Sequence, residues 1–171
     1  MDRRRKILEW AWARHHNVLS WYVRPLFVLP YCWFAYRRRL PGMAATLLLL
    51  PTSLAWFPPP KRVDPRVERY LARERALVTG DRRGLLAVSA AAAAFLAALG
   101  AAFWRRSWGW GLAVLNAGTL LKVAWGFAAG DGSGRAAAGP ALATLAVSDA
   151  AVALAHRIAT SNRGRAEEGG R

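Results

Sequence analysis

Apolar residues in this chain come in long blocks, and the polar ones sit in short runs between them. Five blocks stand out, at residues 17–36, 41–57, 85–104, 108–129, and from 136 or 140 to 155. A soluble amphipathic helix interposes polar positions every two to four residues, whereas 85–104 carries no charged side chain at all. At about 1.5 Å per residue, the third and fourth blocks reach roughly 30 Å, the thickness of a bilayer's hydrocarbon core. The pattern predicts an all-α, polytopic helical membrane protein of four or five transmembrane helices.

The boundaries carry their own signals. "YCWFAYRRR" stacks aromatic rings against Arg37, Arg38 and Arg39, as expected where a helix passes from hydrocarbon into the headgroups. The second block is short, holds Pro51 and stops at "WFPPP". "RRS" joins the third and fourth blocks as an antiparallel hairpin. The fifth block is the weakest span, being short and containing Asp149. The expected organisation is an interfacial N-terminal helix at 1–16, transmembrane segments one and two within 17–57, and a cytoplasmic loop at 58–84 with an amphipathic helix at 65–79. A transmembrane hairpin at 85–129, a flexible loop at 130–140, a fifth segment at 141–156 and a disordered tail at 157–171 complete it. The start "MDRRRKILEWAWARHHN" has the basic end of a signal peptide, but Arg24, Pro25 and Pro30 interrupt the adjoining apolar stretch and no small-x-small cleavage site appears. It reads as an uncleaved first span, with Trp10 and Trp12 at headgroup depth.

Charge changes this picture only in detail. Lys and Arg number 25 against 10 Asp and Glu, a net charge of +15. No nucleic-acid module frames the basic residues, so anionic headgroups are the expected partners and nucleic acid is not. With five spans and a cytoplasmic N-terminus, the inner side holds 14 Lys and Arg outside the spans and the outer side 9. That bias predicts a cytoplasmic N-terminus in a bacterial inner membrane. Cys32 stands alone in an apolar block, which excludes an intrachain disulfide and CxxC chemistry.

Within 58–84, Asp64 fits a helix N-cap, Pro65 the first helical position and Gly80 the residue after the last turn. On a helical wheel Val67, Tyr70, Leu71, Leu77 and Val78 share one arc, with Arg66, Arg69 and Arg73 as a ridge beside it. No acid lies three or four residues from a base here, so local helical pairs do not account for the arginines, and anionic-lipid contact is their expected role. The rival placement packs the arc on a partner or on the rest of the fold. Glu74 falls inside the arc, which points to a base from elsewhere in the chain.

Lys122 and Asp149 are the charges expected inside the membrane. Counted from the loop "GDGSGRAAAGP", they lie about 12 to 14 Å along their helices, so an antiparallel hairpin brings them level. The expectation is an intramembrane Lys122–Asp149 pair, each offsetting the other's burial. Gly118, Gly126, Ala146 and Ala153 flank them as small residues for close approach, and Asn116, Thr144 and Ser148 extend a polar network.

Enzyme chemistry finds little support. The sequence has no HExxH, GxSxG or P-loop, and with the fifth segment spanning, His156 falls on the opposite side of the membrane from His15 and His16. No catalytic residue, metal site or cofactor is assigned. "GDGSGR" lacks the spacing of a phosphate loop and reads as a connection between helices.

The succession "YCWFAYRRRLPG", "WFPPP", "DPRVERYLARERALVTG" and "LKVAWGF" resembles an uncharacterised group of small bacterial multi-pass membrane proteins. The resemblance covers most of residues 17–155 and implies a multi-pass membrane fold, with no activity attached. The expected function is that of a small, non-enzymatic integral membrane protein acting through lipid or protein contacts, as a homo-oligomer or beside a membrane protein partner. Two alternatives are a small oligomeric channel or transporter with Lys122, Asp149 and Asn116 in a polar pathway, and a lipid-modifying enzyme using Glu74 beside the arginine ridge.

Overall fold

The computed structural model describes residues 3–54, 56–80, 82–128, 130, 132 and 134–168. All regular structure among them is helical: α1 (Arg3–His15), α2 (Val18–Leu26), α3 (Val28–Tyr36), α4 (Leu40–Leu49) followed by a 3₁₀ turn (Leu50–Leu54), α5 (Pro65–Gly80), α6 (Arg82–Trp104), α7 (Trp108–Ala128) and α8 (Gly134–Glu168). Three helices are long and apolar enough to cross a membrane: α6, α7 and the 134–158 part of α8. Leu40–Ser53 forms a shorter apolar helix.

Proline chemistry explains why the first two blocks yield no long helix. Pro25 and Pro30 each lack the N–H that a continuous helix needs, so the block divides at Phe27 into two nine-residue helices. Pro51 likewise tightens the end of α4 into the 3₁₀ turn. The path of the chain is nevertheless legible from contacts at its two ends. Asn17 donates to the Pro58 carbonyl at 2.9 Å, and Arg38 donates through Nε to the Trp104 carbonyl at 3.3 Å. These contacts set the start of α2 beside the chain that follows the 3₁₀ turn and the end of α3 beside the end of α6, and three helices are by themselves of spanning length.

The reversals after α3 and α6 are alike. Each places an arginine in the left-handed region, Arg38 at φ 55° and Arg106 at φ 58°. Both are closed by paired backbone hydrogen bonds, Arg39 N–H to Phe34 O at 2.8 Å and Ser107 N–H to Ala102 O at 3.1 Å.

Helices α7 and α8 pack most extensively. At their crossing a side chain on Gly134 would collide with the backbone of Gly126, so position 134 needs hydrogen as a side chain, whereas a Cβ on Gly126 would only touch Gly134 at 3.4 Å. Gly118, expected from the sequence at the same interface, instead receives the Phe95 ring from α6. The main core joins Tyr31, Cys32 and Ala35 of α3 to Leu99 and Phe103 of α6, Leu115 of α7, and Leu145 and Val152 of α8. The outward surfaces are apolar too: Leu48 is 76% exposed, Trp125 75%, Trp110 72% and Leu121 70%. Helices this apolar all round require hydrocarbon or further protein around them.

Two expectations about α8 are revised. The helix begins at Gly134, so Pro140 and most of the expected loop at 130–140 lie inside it, while Asp131 and Ser133 of that loop fall outside the described residues. It also continues through Glu168, so 157–168 is helical where composition favours disorder, and 169–171 lie outside the described residues.

Candidate functional site

Helix α5 starts as its sequence dictates. The Asp64 side chain accepts the Arg66 N–H at 2.7 Å, capping the first turn ahead of Pro65. The apolar arc then turns onto the protein. Val67 and Leu71 are buried in a second core with Trp21, packed by Trp12, Tyr70, Ala136 and Ala137. The rival placement of the arc therefore holds for Val67, Tyr70 and Leu71, while Leu77 is 45% exposed and the Val78 side chain lies outside the described residues. Arg66, Arg69 and Arg73 point away from this contact and are exposed, with Arg69 Nε donating to the Pro65 carbonyl at 3.3 Å.

Docking α5 this way carries Glu74 to the end of the bundle where α8 begins. There it meets bases from three other helices around a cavity of about 120 Å³. His15 ends α1, Arg24 comes from α2 and Lys122 from α7, while Trp21, Tyr70, Ala137, Pro140 and Ala141 complete most of the wall. His15 is fixed from two sides. Asn17 caps α2 by accepting the Leu19 N–H, which sets the turn between α1 and α2, and Trp21 Nε1 donates to the His15 carbonyl at 2.9 Å.

The polar chain through the cavity has a defined direction. Arg24 Nη1 lies 2.8 Å from His15 Nδ1, and a guanidinium only donates, so Nδ1 accepts. The imidazole proton then sits on Nε2, which donates to Glu74 Oε2 at 3.2 Å. This hydrogen bond holds the Glu74 carboxyl below its ordinary pKa against the opposing effect of burial, aided by the positive charges of Lys122 and Arg24. Tyr70 moves the other way, since burial and the negative Glu74 outweigh Arg73 and raise its phenol. At neutral pH the cavity offers one carboxylate, one protonated phenol and the cationic Arg24 and Lys122. Arg24 is only partly satisfied: its Nε and Nη2 are buried without a hydrogen-bond partner among the described residues.

The sequence-predicted residues divide between this cavity and a second polar contact. Asp149 accepts from Asn116 Nδ2 at 3.0 Å, and Asn116 Nδ2 also reaches the Leu112 carbonyl at 2.9 Å. Lys122 and Asp149 form no ion pair among the described residues. The register explains this: Lys122 is six residues from the end of α7, about 9 Å, whereas Asp149 is fifteen residues from the start of α8, about 22 Å. Lys122 faces Glu74 instead. Thr144 Oγ1 donates to the Pro140 carbonyl at 2.7 Å and lies 3.4 Å from the Tyr22 carbonyl, and Ser148 Oγ is buried without a partner among the described residues.

His156 rests against Trp108 at the other end of the bundle, 5.6 Å between ring centroids. No group of three or more metal-ligating side chains occurs among the described residues. Sequence reasoning placed His15, Arg24 and Tyr70 in no site. The signal available was two charges in apolar settings, Glu74 in the arc and Arg24 in the first block, with nothing in the spacing to join them. Comparison with protein-family models, with characterised proteins and with solved structures finds no match to this chain.

Proposed function

We propose that this chain is a multi-pass protein of a bacterial inner membrane, N-terminus cytoplasmic, that holds an anionic, phosphate-type group in the cavity between α1, α2, α5, α7 and α8. The observation that carries this reading is Arg24. A guanidinium with two buried nitrogens, Nε and Nη2, left without acceptors among the described residues is expensive unless a ligand supplies the missing bonds. Lys122 and Tyr70 line the same space, adding a second basic side chain and a phenol, both donor types suited to phosphate oxygens. Glu74 accepts the His15 bond and leaves a net positive cavity.

Size and position narrow the ligand. About 120 Å³ admits a phosphate-sized group and falls well short of the several hundred Å³ that larger ligands occupy. On the five-span reading, the cavity lies at the cytoplasmic headgroup level, so a membrane lipid is the nearest source of such a group. The resulting role is non-enzymatic: lipid recognition, with the exposed ridge of Arg66, Arg69 and Arg73 adding contacts to the anionic surface.

The test is lipid binding by the purified protein in detergent, read by native mass spectrometry with phosphatidic acid. Arg24→Gln is expected to weaken binding at least tenfold, since hydrogen bonds to charged groups contribute about 1.5–3 kcal/mol each, and Lys122→Met to weaken it less. Undiminished binding by a folded Arg24→Gln protein would refute the site. Competition by millimolar inorganic phosphate would assign the cavity to free phosphate; lack of competition would assign it to the lipid headgroup.

A further inference from the structure

The end of the bundle remote from Glu74 carries a different kind of opening. A groove of about 310 Å³ lies between α3 and α8, lined along α3 by Leu29, Trp33 and Tyr36, along α8 by Ala151 and Ala155, and floored by Trp108. Its origin is local. Small side chains on α8 face bulky ones on α3, so the helices leave a channel where they would otherwise interdigitate. From Leu29 to Tyr36 it runs along about 10 Å of helix.

The mouth is cationic, and its charges are placed on the groove's own walls. Arg37 Cζ lies 5.6 Å from the centroid of Trp33, and Arg106 Cζ lies 5.7 Å from that of Tyr36. Tyr36 in turn packs on Trp108 at 4.6 Å. Arg106 is held there by the left-handed turn after α6, and Arg38 caps that helix from the facing turn. Glu9, Asp64, Glu68 and Glu74 lie towards the opposite end, in α1, in α5 or at the residue that caps it.

We infer that this groove holds one acyl chain of an anionic phospholipid, with the lipid phosphate at Arg37 and Arg106. An apolar slot parallel to the helices with two guanidiniums at its mouth matches an amphiphile with a single negative head. A second copy of this chain in the same orientation would bring arginines against arginines at that level. The inference rests on the membrane reading, but it is independent of the Glu74 cavity, which faces the other leaflet.

The experiment uses native membranes and a phosphatidylglycerol carrying a photoactivatable diazirine on one acyl chain. Illumination followed by peptide mass spectrometry is expected to place adducts on residues 29–36 and 151–155 several-fold above those on the exposed alanine run at 90–94. Filling the groove with Ala151→Leu and Ala155→Leu together should abolish that excess. The excess should also fall with Arg37→Gln plus Arg106→Gln, and with a phosphatidylcholine probe. Uniform labelling of the wild-type protein overturns the inference without any variant having to fold. Release of the protein from membranes by alkaline carbonate would instead overturn the membrane reading itself, so the two failures are distinguishable.

Discussion

At Glu74 one carboxylate faces His15, Arg24 and Lys122, each from a different helix. Because these partners hold its pKa below the ordinary carboxylate value of about 4.3, their contribution to stability has a definite pH dependence. A depressed carboxyl pKa stabilises the fold fully above the ordinary value, and that stabilisation is lost as pH falls through the lower folded value. The thermal midpoint of the purified protein should therefore drop on acidification from pH 6 towards pH 3, and Glu74→Gln should lower the midpoint at pH 7 and flatten the acid limb. An acid limb of unchanged slope in Glu74→Gln would assign the loss to other groups. Position 74 was readable as anomalous from the wheel alone, because an acid in an apolar arc calls for a base. Which base was not readable, since His15 and Lys122 are 59 residues behind it and 48 ahead.

At the scale of elements, the decisive contact is the crossing of α7 and α8. A Cβ on Gly134 would overlap the backbone around Gly126, and backbone cannot swing aside as a side chain can. Gly134→Ala is expected to destabilise by about 1–3 kcal/mol, the usual range for overpacking, and to weaken the cavity, whose wall includes the first turns of α8. Gly109→Ala is the control: nothing lies within 4 Å of its Cβ, so it should be neutral or slightly stabilising. Thermal unfolding of both variants in detergent checks the pair, and equal effects would mean that the crossing is loose. The same crossing explains why Lys122 lines the Glu74 cavity and lies away from Asp149. A helix assumed to begin at Pro140 puts Asp149 level with Lys122; a helix beginning at Gly134 moves Asp149 down to Asn116. Proline is tolerated in the second turn of α8, where it removes one helical donor but does not end the helix.

At the scale of the molecule, the apolar outer faces point to a membrane as the medium, and the orientation proposed above rests on the basic ends. The Arg38–Trp104 contact puts 37–39 and 105–106 at one end, with α5 and the start of α8 at the other. The proposed orientation makes a sharp topological statement. In a Cys32→Ser background, Arg105→Cys should react with a membrane-impermeant maleimide on intact cells, and Arg62→Cys only after permeabilisation. Both native side chains are exposed, so access is governed by the side of the membrane. The reverse pattern would invert the topology and place the Glu74 cavity in the outer leaflet.

The sequence by itself determined the medium, the helical class, the blocks and the capped amphipathic helix, because hydrophobic periodicity, proline and N-cap chemistry act over a few residues and are written locally. The exposed arginine ridge and the separation of His156 from His15 arise from the same local rules. Tertiary structure alone decided which charges meet. Pairing between helices depends on where each helix begins and how its axis crosses the next, and a shift of six residues in the start of α8, about 9 Å, is enough to separate Asp149 from Lys122. The cavity at Arg24 and the groove between α3 and α8 are likewise spaces between elements, created by side chains far apart in the chain, and no local pattern encodes a space.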